Sequence, residues 1–232
     1  MTLRLFPDVP AVPHGGDSFT SLGNEWPVES LAEGAWLLRG FAIGAAQTLW
    51  REIERVIKEA PLRQMSTPGG QKMSVRTTSC GEVGWVSDRK GYRYAACDPE
   101  SNCPWPALPE SFLHLAQTAA TEAGYAGFVP DSCLINRYDP GTRMSLHQDK
   151  DERDFAAPIV SVSLGFDAIF LFGGLRRNDR PSRTRLYHGD VVVWGGPARL
   201  RFHGVLPIAS SADGPHPLIG PHRFNLTLRK AT

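Results

Sequence analysis

From Cys133 to its last residue the chain is cut into short apolar and β-branched runs, and this limits the fold more than any other feature. Ile159 to Leu164, Ile169 to Phe172, Asp190 to Trp194 and Leu200 to Val205 are such runs, each bounded by turn residues. With no helical repeat between them, they specify antiparallel strands rather than a parallel sheet with crossover helices. Their number and spacing predict a jelly-roll barrel, a double-stranded β-helix. In the final run, Arg223 to Arg229, polar and apolar residues alternate without exception. A period of two puts Arg223, Asn225, Thr227 and Arg229 on one face of a strand and Phe224, Leu226 and Leu228 on the other. The pattern alone fits an edge strand with its charges in water, and equally an inner strand whose polar face binds something.

Upstream the texture differs. Leu49, Trp50, Ile53, Val56, Ile57 and Ala60 recur at helical spacing within Ala45 to Ala60, as do Phe112, Ala116, Ala119, Ala120 and Ala123. These predict two amphipathic helices supporting the barrel, giving an α+β class. Between them, glycines at 69, 70, 81, 84 and 91 punctuate short segments such as Met73 to Thr78. That pattern predicts β-hairpins forming a mobile substrate-recognition flap over about 61–107. The prolines and glycines from Pro7 to Asp17 predict an irregular surface leader, with residues 1–32 outside a single domain of 33–232.

Charge narrows the function. The chain has 25 basic and 24 acidic residues, a net charge of +1, so no global field marks a nucleic-acid or membrane partner. Any polyanion site must be local, and Arg176 to Arg185 supplies one candidate: five arginines and one aspartate in ten residues. Runs of this kind are also common as solvated loops. The first residues lack the apolar run of a signal peptide, and no stretch approaches membrane-spanning length, so the expectation is a soluble cytoplasmic protein. Cys80, Cys97, Cys103 and Cys133 form no Cys-x-x-Cys and are read as buried or idle thiols.

One triplet carries chemistry. His147 and Asp149 lie two residues apart, so in extended chain they face the same way, and Asp151 continues that face. His203 lies far downstream, on another predicted strand. Two imidazoles and a carboxylate can take one face of an iron(II) ion and leave the opposite positions open for dioxygen and an organic co-substrate. Such triplets recur by chance, so spacing by itself leaves a surface or core role open. His14, His114, His188, His216 and His222 lack this combination and are read as structural or exposed, with His188 in a turn.

Several longer motifs occur in order: Asn136-Arg137-Tyr138, His147-Gln148-Asp149-Lys150-Asp151-Glu152, Phe172-Gly173-Gly174, His188 through Gly196, and Arg223-x-Asn225-x-Thr227-x-Arg229. Together they resemble the AlkB family of iron(II)- and 2-oxoglutarate-dependent dioxygenases, which repair alkylated nucleic-acid bases. The likeness runs from about Gly34 through the last arginine, with the leader and the segment from Ser210 to Pro221 departing from it. It implies that His147, Asp149 and His203 hold iron(II), and that Arg223 pairs with the distal carboxylate of 2-oxoglutarate, helped by Asn136 and Tyr138. It also implies that Asn225 and Arg229 complete that pocket. A buried dicarboxylate needs such a fork-shaped donor, so the last strand is expected to face inward. On the substrate side the resemblance implies Trp85 stacked on the base opposite His147, with Met73, Tyr92, Tyr94 and Arg177 as further contacts. Asp151 would favour bases made cationic by ring-nitrogen methylation, such as 1-methyladenine and 3-methylcytosine; read without the family, it is a surface acid in a charged loop.

The implied reaction is oxidative demethylation of N-alkylated bases in DNA, with RNA as a further substrate, releasing formaldehyde, succinate and carbon dioxide. The partner is then alkylated nucleic acid with its target base flipped out, acted on by a monomer. A 2-oxoglutarate oxygenase acting on a protein or small molecule would share the iron and co-substrate residues without needing Trp85, Tyr92 and the arginine run. A non-catalytic nucleic-acid- or metal-binding barrel would need no arginine pair for a dicarboxylate.

Overall fold

The computed structural model describes residues 26–210 and 214–232. In chain order it contains β1 (Val28–Ala32), β2 (Ala35–Leu38), α1 (Ala46–Glu59), β3 (Arg76–Gly81), β4 (Gly84–Asp88), β5 (Gly91–Ala95), α2 (Glu110–Glu122), β6 (Ser132–Tyr138), β7 (Met144–His147), β8 (Ile159–Gly165), β9 (Ala168–Phe172), β10 (Ser182–Leu186), β11 (Val191–Trp194), a 3-10 turn at Gly196–Ala198, β12 (His203–Val205) and β13 (Arg223–Arg229). The strands form a seven-stranded sheet ordered β1-β2-β11-β8-β13-β6-β3, a four-stranded sheet ordered β10-β9-β12-β7, and the separate hairpin β4-β5. Their named pairings are antiparallel, and the two larger sheets make the jelly roll.

Three apolar clusters hold the described residues together: a small one under the β4-β5 hairpin at Ala60, Met65, Val86 and Trp105, and two larger cores that set the arrangement of the barrel. On the outer face of the larger sheet, Leu49, Ile53 and Val56 of α1 and Phe112, Ala116 and Ala120 of α2 pack against Val160, Val162, Val191, Val193, Phe224, Leu226 and Leu228. Each fully buried Leu, Ile or Phe is worth roughly 1.5–3 kcal/mol, so this face holds the helices without help from caps. Neither helix has a side-chain N-cap hydrogen bond. Between the sheets, Leu37, Ile159, Phe170, Phe172, Leu186, Val192 and Trp194 fill one part of the interior. β13 lies between β8 and β6, and all seven of its residues are buried. Its apolar face meets the helices and its polar face points into the space between the sheets, which decides against the edge-strand reading.

Local differences from the sequence expectations have physical causes. The strand expected from Leu200 starts only at His203, because Arg199 and Arg201 follow the 3-10 turn and send their side chains to the carbonyls of Asp149, Ala157 and Gly173. Val28–Ala32 is a strand on β2, so that part of the expected leader belongs to the sheet; Pro7 to Asp17 and His14 lie outside the described residues. Within 61–107, β3 pairs with β6 as an edge of the larger sheet, leaving the β4-β5 hairpin and its connections to stand apart. Met73 precedes β3, its N–H donating to the carbonyl of Met65.

Candidate active site

His203 and His147 are direct cross-strand partners on β12 and β7, which is why residues so far apart in sequence meet. Their ring centroids are 4.4 Å apart. Asp149 follows β7, placing Oδ1 3.7 Å from His147 Nε2 and Oδ2 3.6 Å from His203 Nε2. One ligand atom from each residue lies within 4.8 Å of the others. Both imidazoles are oriented from behind: Nδ1 of His147 is 2.9 Å from the Ser145 carbonyl, and Nδ1 of His203 is 3.1 Å from that of Arg201. A carbonyl can only accept, so each neutral ring carries its proton on Nδ1 and leaves the Nε2 lone pair free for a metal.

The electrostatics favour metal over protons. His147 opens onto the cavity but is otherwise crowded, and burial, with His203 beside it, pushes its pKa down to about 4. Burial alone would raise Asp149, but Arg229, His203 and His147 outweigh it and hold the carboxyl well below the usual carboxylate range. Near neutral pH His147 is a neutral imidazole and Asp149 a carboxylate, and with His203 they make the two-imidazole, one-carboxylate donor set that suits iron(II) with open positions.

Beside it lies an unmatched cation. Arg223 is 1% exposed. Its Nη2 donates to Ser163 Oγ at 3.0 Å, while Nε and Nη1 have no hydrogen-bond partner among the described residues. The guanidinium carbon is 5.1 Å from the centre of the Tyr138 ring, and burial pushes the pKa down. Burying an ion costs several kcal/mol unless an opposite charge meets it, so two open donors on a buried fork fit a carboxylate. Asn136 Oδ1 is likewise buried and unpartnered. Asn225 is already engaged: Nδ2 donates to Ser161 Oγ and the Val162 carbonyl, and Oδ1 accepts from Thr227. Arg229 Nη2 donates to Asp149 Oδ2 at 2.7 Å.

One cavity of about 720 Å³ joins these groups to the hairpin. Every site residue named from the sequence lines it except Tyr94. Trp85 and Tyr92 stack with ring centroids 5.6 Å apart, 13° from parallel, and Trp85 Nε1 donates to Asp151 Oδ2 at 2.8 Å. Arg177 lies 5.8 Å from the Phe202 ring at the same cavity. The other arginines of its run, Arg176, Arg180, Arg183 and Arg185, are exposed. Tyr94 instead sends its hydroxyl to Glu152 Oε1 at 2.8 Å. Sequence reasoning passed over Glu152 and Arg199, both buried against this site. Glu152 sits in a run of charged residues with no periodicity, and nothing in the local pattern separates it from a solvated acid.

A jelly roll that brings two imidazoles and a carboxylate together beside an unmatched buried guanidinium defines the class of iron(II)- and 2-oxoglutarate-dependent oxygenases. The model of the 2OG-Fe(II) oxygenase superfamily matches residues 34–229. Alpha-ketoglutarate-dependent dioxygenase AlkB of Escherichia coli (strain K12) is 58% identical over 203 residues, covering 88% of this chain and 93% of the relative. The AlkB homolog of Caulobacter vibrioides (strain NA1000 / CB15N) is 43% identical over 189 residues, covering 82% of this chain and 83% of that one. Among solved structures, that of OsALKBH1 superposes with a TM-score of 0.77 at 28% identity, covering 88% of this chain and all of that one. The chain belongs to the AlkB family of the 2OG-Fe(II) oxygenase superfamily.

Proposed function

We propose that this protein is an Fe(II)- and 2-oxoglutarate-dependent dioxygenase that removes N-linked alkyl groups from the bases of DNA. The observation that carries this reading is the pairing, in one cavity, of the His147–Asp149–His203 cluster with the two open donors of buried Arg223. His147, Asp149 and His203 would hold the metal. Arg223 would bind the distal carboxylate of the co-substrate, with Asn136 and Tyr138 beside it and Asn225 and Arg229 closing the polar face. When bound there, iron(II) with 2-oxoglutarate and dioxygen supplies oxidation of the alkyl carbon, the co-substrate leaving as succinate and carbon dioxide. An N-hydroxymethyl base then collapses to formaldehyde and the restored base.

The chain's own task is to bind, orient and shield. A damaged base reaches such a cavity only by leaving its stack, and the free face of Trp85, stacked on its other side with Tyr92, would replace a lost neighbour opposite His147 at roughly 1–3 kcal/mol per base. Met73 and Arg177 flank the same space. Asp151, which accepts a hydrogen bond from the Trp85 N–H, would offer its carboxylate to a cationic methylated base. No protein acid or base is needed, because the oxidation belongs to the cofactor. The substrate class supports action in the cytoplasm.

Anaerobic loading with iron(II) and 2-oxoglutarate, followed by oxygen and DNA or RNA oligonucleotides bearing single defined lesions, tests the reading through formaldehyde and repaired base. Succinate without repair of any lesion would favour a protein or small-molecule substrate. Asp149→Ala should abolish both products.

A further inference from the structure

Behind the candidate metal carboxylate lies a buried ionic cluster in which Glu152 and Arg199 have no part in the metal, co-substrate or base contacts proposed above. At its centre is Glu152, 6% exposed. Its Oε1 lies 3.3 Å from Arg229 Nε, and its Oε2 lies 3.0 Å from Arg199 Nη2. Both guanidiniums continue to Asp149. Arg229 Nη2 donates to Oδ2 and Arg199 Nη1 to the main-chain carbonyl, each at 2.7 Å. The flap hairpin supplies the remaining link. The Tyr94 hydroxyl donates to Glu152 Oε1 at 2.8 Å and accepts from Arg229 Nη1 at 3.3 Å.

Two carboxylates and two guanidiniums balance in charge, yet such a cluster is a poor way to gain stability. Desolvation costs several kcal/mol per ion, and apolar packing of the same volume serves as well or better. What the cluster does supply is direction at Asp149, where Arg229 and Arg199 hydrogen-bond the carboxylate and its carbonyl while ion pairs with Glu152 hold the two guanidiniums beside it. Asp149 is gripped at Oδ2 and at its own carbonyl, while Oδ1 faces His147. Without Glu152, two cations would flank a carboxylate whose task is to hold a dication.

Resting on the reading of Asp149 as a metal ligand, we infer that Glu152, Arg199, Arg229 and Tyr94 are positioning residues that hold Asp149 by one oxygen and leave the other for the metal. Tyr94 thereby ties the hairpin that carries Trp85 and Tyr92 to the metal site. A carboxylate released from this grip can turn both oxygens to the ion and take a position the reaction needs open.

Cobalt(II) is the probe, read by its visible absorption in titrations of the whole protein, alongside thermal unfolding. His147→Ala tests the underlying site: if it takes up cobalt(II) like the wild type, the metal reading fails and this inference with it. If His147→Ala loses the signal, Glu152→Gln should weaken cobalt(II) binding roughly tenfold or more, as expected when a partner of a metal ligand is removed, and should change the absorption spectrum. Tyr94→Phe should weaken it by a smaller factor and shift the spectrum the same way. Tyr94→Phe removes one hydroxyl and keeps the ring, so it decides the matter alone if Glu152→Gln does not fold. Wild-type affinity and spectrum in folded Tyr94→Phe and Glu152→Gln proteins would overturn the inference, as would a wild-type result in Tyr94→Phe alone where Glu152→Gln is unfolded.

Discussion

Arg223 enters the barrel with its charge almost wholly removed from water and two of its donors unmatched. The cost is relieved only when an anion arrives, so stability without ligand and affinity for the co-substrate should move in opposite directions. Arg223→Met should leave the ligand-free protein as stable or more so, because it replaces a buried ion with packing volume. The same change should lower 2-oxoglutarate affinity by more than about a hundredfold, the equivalent of roughly 3 kcal/mol for leaving a buried charge without its partner. Arg223→Lys keeps the charge but not the fork, and its loss should be smaller. Calorimetric titration and melting curves check both halves; a destabilised Met variant that still binds 2-oxoglutarate would contradict the argument. Asp151 is exposed at the cavity wall, so its contribution is screened. Asp151→Asn keeps an acceptor for the Trp85 N–H and removes the charge. Repair of cationic 1-methyladenine should fall roughly fivefold to tenfold in kcat/KM, in line with about 1 kcal/mol for a partly solvated charge pair, with little change for a neutral etheno lesion. Equal losses on both lesions would remove Asp151 from selectivity.

At the level of strands and helices, what could be read from the sequence was whatever depends on local period. β13 matches its alternating run residue for residue, and α1 and α2 fall where the apolar spacing puts them. What escaped depends on pairing between distant segments. The direct partnership of His147 with His203 is a matter of register between β7 and β12, and no window of sequence contains both. The burial of Glu152 follows from Arg199 and Arg229 arriving from two other elements, so its charged neighbours in sequence were a misleading guide. The arginine run divides in the same way. Arg177 reaches the cavity, whereas Arg183 and Arg185 project from β10, an edge strand whose buried residue is Leu186. An edge that exposes charge resists pairing with another chain, and it also offers phosphates a track leading away from the cavity. Changing Arg180, Arg183 and Arg185 together to Ala should weaken binding of lesion-bearing DNA. For each phosphate no longer neutralised by an arginine, the dependence of log K on log salt should become less steep by about 0.9 on duplex or about 0.7 on single strand. Turnover of 2-oxoglutarate without nucleic acid should persist. Unchanged affinity and slope would return these arginines to the role of a solvated edge.

For the molecule as a whole, the two cores predict how it answers loss of its ligands. The helix-side core is apolar throughout, and nothing bound in the cavity is needed to complete it. The space between the sheets is filled by apolar side chains at Phe170, Phe172, Leu186 and Trp194, while its polar part gathers Arg223, Asn225 and Arg229 around the open site. The four-stranded sheet has strands of three to five residues, and the two that carry His147 and His203 are held to each other across an irregular register. Chelation of the metal should therefore leave the fold in place while loosening one end of the barrel. A ligand present at a hundred times its Kd stabilises the form it binds by about 2.7 kcal/mol, which for a domain of this size is about 5–10 °C in Tm. Adding cobalt(II) to metal-free protein should give a rise of that order with no change in far-UV circular dichroism, and Asp149→Ala should abolish the response. Amide hydrogen exchange gives the sharper test, because it separates loosening from unfolding. Metal removal should speed exchange in β7, β12 and the segment after His147, and leave β8, β13 and α1 as protected as before. Uniform acceleration through α1 and β8 would mean that the metal holds the whole fold together, and the division of labour between the two cores would be wrong.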